Sequence, residues 1–143
     1  MSFDLKIRDG DLALDSKSDL DIVEDSEKLV QDILKIVSTQ LGANPFFPWY
    51  GCPLTKSLIG RSYDTRFVSN VAGQQLKSSL ETLQKMQKEQ LKQDQYVTPL
   101  EQIAAIQNVS VERNITDPRF YRIFLTVLSK AFQQVPAALD VRL

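Results

Sequence analysis

Histidine is absent from this sequence, and cysteine occurs once, at residue 52. Ser-His-Asp and Cys-His catalysis both need an imidazole, so both are excluded. Zinc sites that use histidine or several thiolates are excluded for the same reason. A single cysteine cannot form an internal disulfide, which fits a reducing compartment. We expect Cys52 to be a small packed residue.

Other scarcities exclude further classes of function. The five glycines are scattered, so no glycine-rich phosphate loop exists. No run of 18 apolar residues occurs, so we expect no transmembrane helix, and the N-terminus lacks the basic and apolar regions of a signal peptide. The net charge of −1 argues against a dedicated nucleic-acid surface. We therefore expect partners other than nucleic acid and no membrane insertion.

Carboxylates are the remaining candidates for acid-base chemistry. A glycosidase needs two of them across a cleft, and no pattern here places two on opposite walls of a pocket. A calcium loop is disfavoured, because Lys17 stands between Asp15 and Asp19 at a ligand position and the central glycine is missing. We expect no enzyme, no metal and no cofactor. A small carboxylate hydrolase is the alternative that two inward carboxylates would support.

Acidic residues concentrate at the front of the chain. Residues 1 to 32 contain ten acidic and four basic side chains, a net charge of −6, whereas the rest carries +5. Alternating apolar residues flank Asp9-Gly10, a strong hairpin-turn signal, and S-D-L-D-I-V-E-D repeats the rhythm. We predict an acidic hairpin arm over residues 1 to 24. Its acids indicate either a solvated face or a docking surface.

Two helices are predicted over residues 25 to 95. Residues 26 to 41 have apolar positions at helical spacing, with Asp25 or Ser26 as the N-terminal cap and Gly42 at the C′ position. The second helix runs from about Thr65 to Gln90 and is capped by Asp64. Its apolar stripe weakens toward the end, so we expect that end to project into solvent or to await a partner.

Three strands are predicted over residues 98 to 143. A short turn after Pro99 precedes strands at residues 106 to 113, 120 to 130 and 137 to 143, with a turn at residues 114 to 119. An antiparallel meander covered by two helices is an α+β fold, which we expect to form one domain over residues 1 to 143. The last strand is predicted at a sheet edge, where its backbone can pair with another chain.

The segment L-G-A-N-P-F-F-P-W-Y-G-C-P-L, residues 41 to 54, joins the helices and is irregular because of its three prolines. It contains Phe46, Phe47, Trp49 and Tyr50. These aromatic side chains could insert into a membrane, stack on a ligand, close the end of the core or dock on a protein. Flanking basic residues that would grip lipid are missing, and we favour core closure with Trp49 or Tyr50 left as an exposed anchor.

Several short motifs together resemble the lysozyme-like baseplate wedge family of contractile-tailed bacteriophages, also called sheath initiators. The order is an acidic D-G-D-L hairpin, S-D-L-D-I-V, a helix that ends S-T-Q-L-G, and then P-x-x-G-x-x-L. The matching positions are Gln31, Thr39, Gly42, Pro48, Gly51 and Leu54. Type VI secretion baseplates contain relatives. The family usually has Glu-Pro-Arg where Thr98-Pro99-Leu100 stands, so the proline is kept and both charges are missing; Asp117-Pro118-Arg119 lies one strand too late.

The resemblance implies a non-enzymatic virion protein, assembled in the host cytoplasm, that binds other baseplate wedge subunits and the tail sheath protein. It implies that the terminal sheet pairs with sheath strands, while the first helix and the aromatic segment of residues 41 to 54 face wedge proteins. Deletion of residues 137 to 143 is then expected to abolish sheath nucleation and to leave a folded protein. The interface candidates are Gln31, Thr39, Phe46, Phe47, Trp49, Tyr50, Pro99, Ala137, Ala138, Leu139, Asp140, Val141, Arg142 and Leu143. The alternative is a regulatory protein-binding module, because the same fold includes a bacterial anti-adaptor.

Overall fold

The fold is seen in a computed structural model, which describes residues 2–54, 56 and 65–142, apart from the side chain of Thr65. The N-terminal strands are β1 (Asp4–Leu5), β2 (Ile7–Arg8), β3 (Asp11–Leu12) and β4 (Ile22–Val23); the helices are α1 (Asp25–Ser38) and α2 (Thr65–Lys92); and the C-terminal strands are β5 (Ile103–Arg113), β6 (Phe120–Ser129) and β7 (Gln134–Arg142). This arrangement confirms the predicted α+β class.

The acidic arm folds back on itself twice. β2 pairs with β3 across the predicted turn, where Asp9 and Gly10 have φ of +53° and +83°, values typical of a tight hairpin turn. The second acidic unit returns to the start of the chain, because β4 pairs antiparallel with β1. The hairpin prediction is therefore confirmed, and the arm also contains a second strand pair.

Helix α1 is shorter than predicted and is capped differently. It begins at Asp25 after Glu24, whose side chain makes no capping hydrogen bond, so the predicted Asp25 or Ser26 cap is wrong. It ends at Ser38, and the extended Thr39 follows. Gly42, with φ of +82°, lies instead in a turn that the Ala43 N–H closes onto the Gln40 carbonyl at 3.0 Å. The chain forms this turn in place of a last turn of α1.

Helix α2 spans 28 residues, about 42 Å. Its buried stripe includes Val68, Leu76, Leu80 and Leu83, as predicted. The stripe extends to Gln87, the last position predicted for it, which is buried and bonded to the start of β5. The predicted cap Asp64 lies outside the described residues.

The terminal meander has the order β5-β6-β7, with both pairings antiparallel, as predicted. β5 and β7 each begin three residues earlier than predicted. The inward side chains of β6, from Tyr121 to Ser129, alternate with its outward ones and are buried. α1 packs against β7 and α2 against β5, so the core lies between the helices and one face of the sheet. On the other face of the sheet, Arg122 and Phe124 are exposed among the described residues.

Within the described part of the chain, neither helix combines the length and the hydropathy needed to span a bilayer.

Candidate functional site

The direction of the backbone groups along β7 follows from two observations. The Ser129 N–H donates to the Gln133 carbonyl at 2.9 Å, which makes this a hydrogen-bonded pair at the hairpin end. Hydrogen-bonded and non-bonded pairs alternate in an antiparallel ladder, so Thr126–Pro136 is a non-bonded pair. Proline has no N–H to donate, which agrees with this phase. Residues 136, 138, 140 and 142 therefore direct their backbone groups away from β6.

β7 is an open edge. Among the described residues, no backbone hydrogen bond from another element reaches the outward groups of Ala138, Asp140 or Arg142. These three residues offer both an N–H and a carbonyl, whereas Pro136 offers only its carbonyl. Because a proline cannot donate to an added strand, it limits pairing on that side. The segment free to accept another strand is thus residues 138 to 142.

The opposite edge, β5, is covered by α2 at its first residues. Its register shifts at two places, between Ile103 and Ala105 and between Ile106 and Asn108. The Gln84 amide donates to the carbonyls of Ile103 and Ala104 at 3.1 and 3.3 Å. The Gln87 side chain accepts from the Ile103 N–H at 2.8 Å. Irregular register and side-chain bonds of this kind block strand addition, so β5 is the less available edge.

The β7 side chains separate into two sets. Ala137, Leu139 and Val141 point toward α1 and pack on the core. Ala138, Asp140 and Arg142 lie on the open face of the sheet. Half of the side chains predicted to form the interface therefore pack on the core of this protein. Leu143 lies outside the described residues.

A salt bridge and an aromatic contact tie the outer face of β7 to β6. Arg122 Nε donates to Asp140 Oδ1 at 2.8 Å, and this hydrogen bond lowers the pKa of the Asp140 carboxyl. The Arg142 guanidinium lies 5.7 Å from the centre of the Phe120 ring. Both arginines thus remain on the open face beside the unbonded backbone.

Residues 41 to 54 form the aromatic loop, and hydrogen bonds close this loop at its base. The Cys52 N–H donates to the Thr39 carbonyl at 2.8 Å, and the Leu41 N–H donates to the Cys52 carbonyl at 3.2 Å. Gly51, with φ of +121°, is required here, because a Cβ atom would stand 2.7 Å from the Thr39 oxygen. Ser79 of α2 donates to the Gly51 carbonyl at 3.1 Å. The base is therefore fixed to both helices.

The tip of this loop is exposed. Phe46 and Phe47 are 84% and 52% exposed, so the prediction that they close the core is wrong. Trp49, one of the two residues predicted to stay exposed, is 49% exposed. Tyr50 is partly buried and packs against the core, while Cys52 and Leu54 fill its end.

Contacts within the loop hold the exposed rings in place. Phe47 and Trp49 make an edge-to-face pair with ring centres 5.8 Å apart. The Phe46 N–H donates to the Asn44 side chain at 3.0 Å, and the Tyr50 N–H donates to the Phe47 carbonyl at 3.0 Å. Residues 36 to 55 contain no charged side chain. The tip therefore presents an apolar, uncharged surface whose shape is set before binding.

Gln31 is buried, with 9% exposed, and binds the arm. Its amide accepts from the Ile7 N–H at 2.9 Å and donates to the Leu5 carbonyl at 2.8 Å and to Asp4 at 3.0 Å. The Gln31 side-chain amide thus makes the hydrogen bonds that a neighbouring strand would make to the edge of the arm. Its contact with another subunit stays a prediction, as does that of Thr39, whose hydroxyl donates to the Lys35 carbonyl at 2.6 Å.

Lys35 connects the arm, α1 and the aromatic loop. Burial raises the pKa of Asp4, but hydrogen bonds from Lys35 and Gln31 outweigh it, so the pKa is lowered. Burial lowers the pKa of Lys35, but the hydrogen bond to Asp4 and the charge of Asp32 outweigh it, so the pKa is raised. Burial raises the pKa of Tyr50, which the Lys35 charge partly offsets. The three segments thus share one electrostatic cluster.

Sequence reasoning missed Glu101. This carboxylate is 1% exposed and accepts long bonds from the Asp25 N–H at 3.3 Å and the Thr98 N–H at 3.4 Å. The Thr98 hydroxyl donates to Asp25 at 2.8 Å. Pro99, which lies between Thr98 and Glu101 in the sequence, is exposed. A negative charge is favourable at the start of α1. The signal was T-P-L-E, a Ser/Thr-x-x-Glu capping pattern, and it places a carboxylate at the junction where Glu-Pro-Arg is missing.

No protein-family model matches this chain, and no curated protein matches it. Among solved structures, the chain is similar to a protein of Geobacter sulfurreducens that is described as a candidate tail lysozyme. The TM-score is 0.59 at 13% sequence identity, and the match covers 82% of this chain and 89% of that one. At this level of identity the comparison shows that the two chains share a fold.

Proposed function

We propose that this protein is a structural, non-enzymatic subunit of a contractile phage tail baseplate, which joins wedge proteins and starts sheath assembly by strand pairing at β7. The observation that carries the proposal is the open edge of residues 138 to 142, whereas α2 covers the start of β5. Strand addition forms main-chain hydrogen bonds in one register, so a growing sheath would receive a defined first contact. A head-to-tail contact of this type propagates and does not close on itself.

The fold shared with a protein described as a candidate tail lysozyme supports a tail setting. The motif order from D-G-D-L to P-x-x-G-x-x-L supports the baseplate wedge family within that setting. The protein would then be part of the virion, after assembly in the host cytoplasm. Its partners would be other wedge subunits and the tail sheath protein.

The aromatic loop is the proposed contact with a wedge subunit. Aromatic side chains dominate binding energy at many interfaces, and Trp49 is half exposed on a loop that is closed at its base. Because the loop is already held in shape, little conformational entropy is lost on docking. Its lack of charge predicts an apolar, uncharged socket on the partner.

Sheath growth on purified baseplates tests the strand-pairing role. Replacing both Ala138 and Asp140 by proline removes two of the three outward N–H groups without touching the β6–β7 ladder. At about 1 kcal/mol for each hydrogen bond, we expect sheath initiation to weaken roughly thirtyfold. The matched control is the double threonine variant, which loses the same side chains but keeps both N–H groups.

Electron microscopy of the growing sheaths counts the initiated particles. Normal initiation by the double proline variant would refute the assignment of β7. Equal losses in the proline and threonine variants would also refute it, because side chains and not backbone groups would then be responsible.

The wedge contact is tested by Phe46→Ser, with Phe132→Ser as the matched control. Both phenylalanines are more than four-fifths exposed, at 84% and 85%, but only Phe46 is in the aromatic loop. We expect the Phe46 variant alone to lose binding to purified wedge subunits. Unchanged binding, or equal loss in both variants, would contradict the assignment.

A further inference from the structure

A groove of about 390 Å³ lies between the acidic arm and α1. Its apolar walls are Ile7 and Val23 from the arm and Val30 and Leu34 from α1. Leu34 and Val30 are one helical turn apart, so they form a continuous wall. The groove therefore offers a strip of apolar surface along α1 that the described chain leaves uncovered.

The backbone of the arm beside this groove is already bonded at most of its groups. The Ile7 N–H and the Leu5 carbonyl both bind the Gln31 side chain. The Lys6 N–H donates to the Asp21 carbonyl at 2.9 Å, and the Lys6 carbonyl accepts from the Ala13 N–H at 2.9 Å. Among the backbone groups of residues 5 to 7, only the Ile7 carbonyl has no described partner, so an added strand would find one acceptor and no donor there. The occupant must bind through side chains, as an amphipathic helix does.

Charge around the groove favours a basic occupant. Its two lysines are neutralised: Lys6 lies 3.5 Å from Asp21, and Lys35 pairs with Asp4 and lies 3.6 Å from Asp32. The Glu27 side chain, by contrast, is 71% exposed, and its ion pair with Lys6 is long, at 3.9 Å. The surrounding residues 1 to 32 carry a net charge of −6. Complementary charge on a partner is therefore positive.

We propose that the groove between the arm and α1 binds a basic amphipathic helix of another protein. Its apolar side chains contact Val30 and Leu34, and its lysines or arginines approach Glu27 and the acidic arm. Exposed apolar side chains on the arm, among them Leu5, Ile7 and Ile22, extend the surface such a helix would cover. The proposal rests on the proposed function only in taking the partner to be a wedge subunit.

Selection from a yeast-displayed library of helical peptides tests this proposal, with the full chain as the bait. The library holds three peptide sets: basic amphipathic helices, the same helices with glutamate in place of lysine, and alternating strand-forming sequences of the basic composition. We expect basic helices to be enriched. Their affinity should fall about tenfold or more in Leu34→Glu, because a charge would be buried against the apolar face of the peptide.

Leu34 is partly buried, so a second variant keeps the test independent of folding. Glu27→Lys changes an exposed side chain, and we expect it to weaken basic peptides and to strengthen the glutamate set. The control Glu89→Lys makes the same charge change on α2, far along the chain from the groove, and should leave binding unchanged. Enrichment of acidic or strand-forming peptides, or of no peptide, would overturn the proposal.

Equal effects of Glu27→Lys and Glu89→Lys would also overturn it, since the attraction would then be unspecific. A dimer in analytical ultracentrifugation that Leu34→Glu abolishes would assign the groove to a second copy and overturn the proposal as well. None of these measurements involves β7, so peptide binding can fail while sheath initiation responds to the proline variants, and the reverse.

Discussion

The two edges of the terminal sheet differ in the regularity of their register and in how far other elements cover their backbone groups. β5 has two register shifts, and α2 supplies Gln84 and Gln87 to its backbone. β7 continues straight, and among the described residues its outward groups at Ala138, Asp140 and Arg142 receive no such cover. An uncovered edge invites pairing with other chains, so a protein usually protects it. This contrast is the basis for the proposal that β7 pairs with a partner strand.

Glutamine closes an edge in both protected regions. Gln31 binds the N–H and carbonyl of the arm as a neighbouring strand would, and Gln87 accepts from the Ile103 N–H while donating to the Glu101 carbonyl at 2.7 Å. A primary amide carries the same donor and acceptor pair as a peptide group. One side chain can therefore satisfy a strand edge without adding a strand, and β7 has no such partner among the described residues.

The largest expected effect comes from deleting residues 137 to 143. Sequence alone suggested that this truncation would leave a folded protein. The structure contradicts that expectation, because Ala137 is buried and Leu139 and Val141 pack on the core against α1. We expect the truncated chain to lose cooperative unfolding, measured by near-ultraviolet circular dichroism during heating. The double proline variant keeps these inward side chains and should still unfold cooperatively; retention of a sharp transition in the truncated chain would show that β7 is only an accessory strand.

Gln87→Ala opens the protected edge. It leaves the Ile103 N–H and the Glu101 carbonyl buried and unpaired, so we expect the free energy of unfolding to fall by about 2–3 kcal/mol. Gln84→Ala is the comparison, because its bonds are longer and partly exposed, and it should cost under about 1 kcal/mol. Urea denaturation measures both. Equal losses would mean that α2 protects β5 by packing alone.

Gln31→Ala tests the same mechanism in the arm. We expect a loss of about 1–2 kcal/mol and faster hydrogen exchange at the Ile7 amide, because that N–H loses its acceptor. Gln31→Glu keeps the acceptor but removes both donors and faces Asp4, so it should protect Ile7 at the cost of the Leu5 contact. Unchanged exchange at Ile7 in the alanine variant would argue that the arm is held by its strand pairs.

The smallest expected effect is a pH dependence of the arm. Because the folded pKa of Asp4 lies below its ordinary 3.8, its stabilising contribution is present above that value and is lost as pH falls through the lowered pKa. Both Asp4 and Lys35 are partly exposed, so water screens the pair. During acidification followed by NMR, the resonances of the arm in the native protein should shift as Asp4 becomes protonated. The Asp4→Asn variant should lack this shift. A shift that persists in the variant would implicate another acid.

Much of the fold could be predicted because its signals are local. Asp9-Gly10 predicts a hairpin, the apolar spacing from Val68 to Leu83 predicts α2, and the alternation in β6 predicts a half-buried strand. These patterns depend on neighbours in the chain. The three-residue overextension of α1 at Gly42 shows their limit, since a nearby turn can use the same glycine.

The candidate site could be predicted only in part. The position of β7 at an edge follows from its place as the last strand, but which of its residues face outward depends on the hairpin register. The T-P-L-E pattern around Glu101 was a usable signal, whereas nothing near Gln31 or Gln87 in the sequence shows which backbone they meet. Those contacts join residues 14 to 26 positions apart.

The sequence by itself determined the helices, the strands, the acidic front and the exclusion of histidine chemistry, because composition and periodicity act over short distances. Only the tertiary structure decided which surfaces are open. Three aromatic rings of the loop are exposed, α2 covers the start of β5, and the outward groups of Ala138, Asp140 and Arg142 have no partner among the described residues. Backbone hydrogen bonds must be satisfied wherever water is excluded, so the final arrangement of elements decides which edge remains available to a partner.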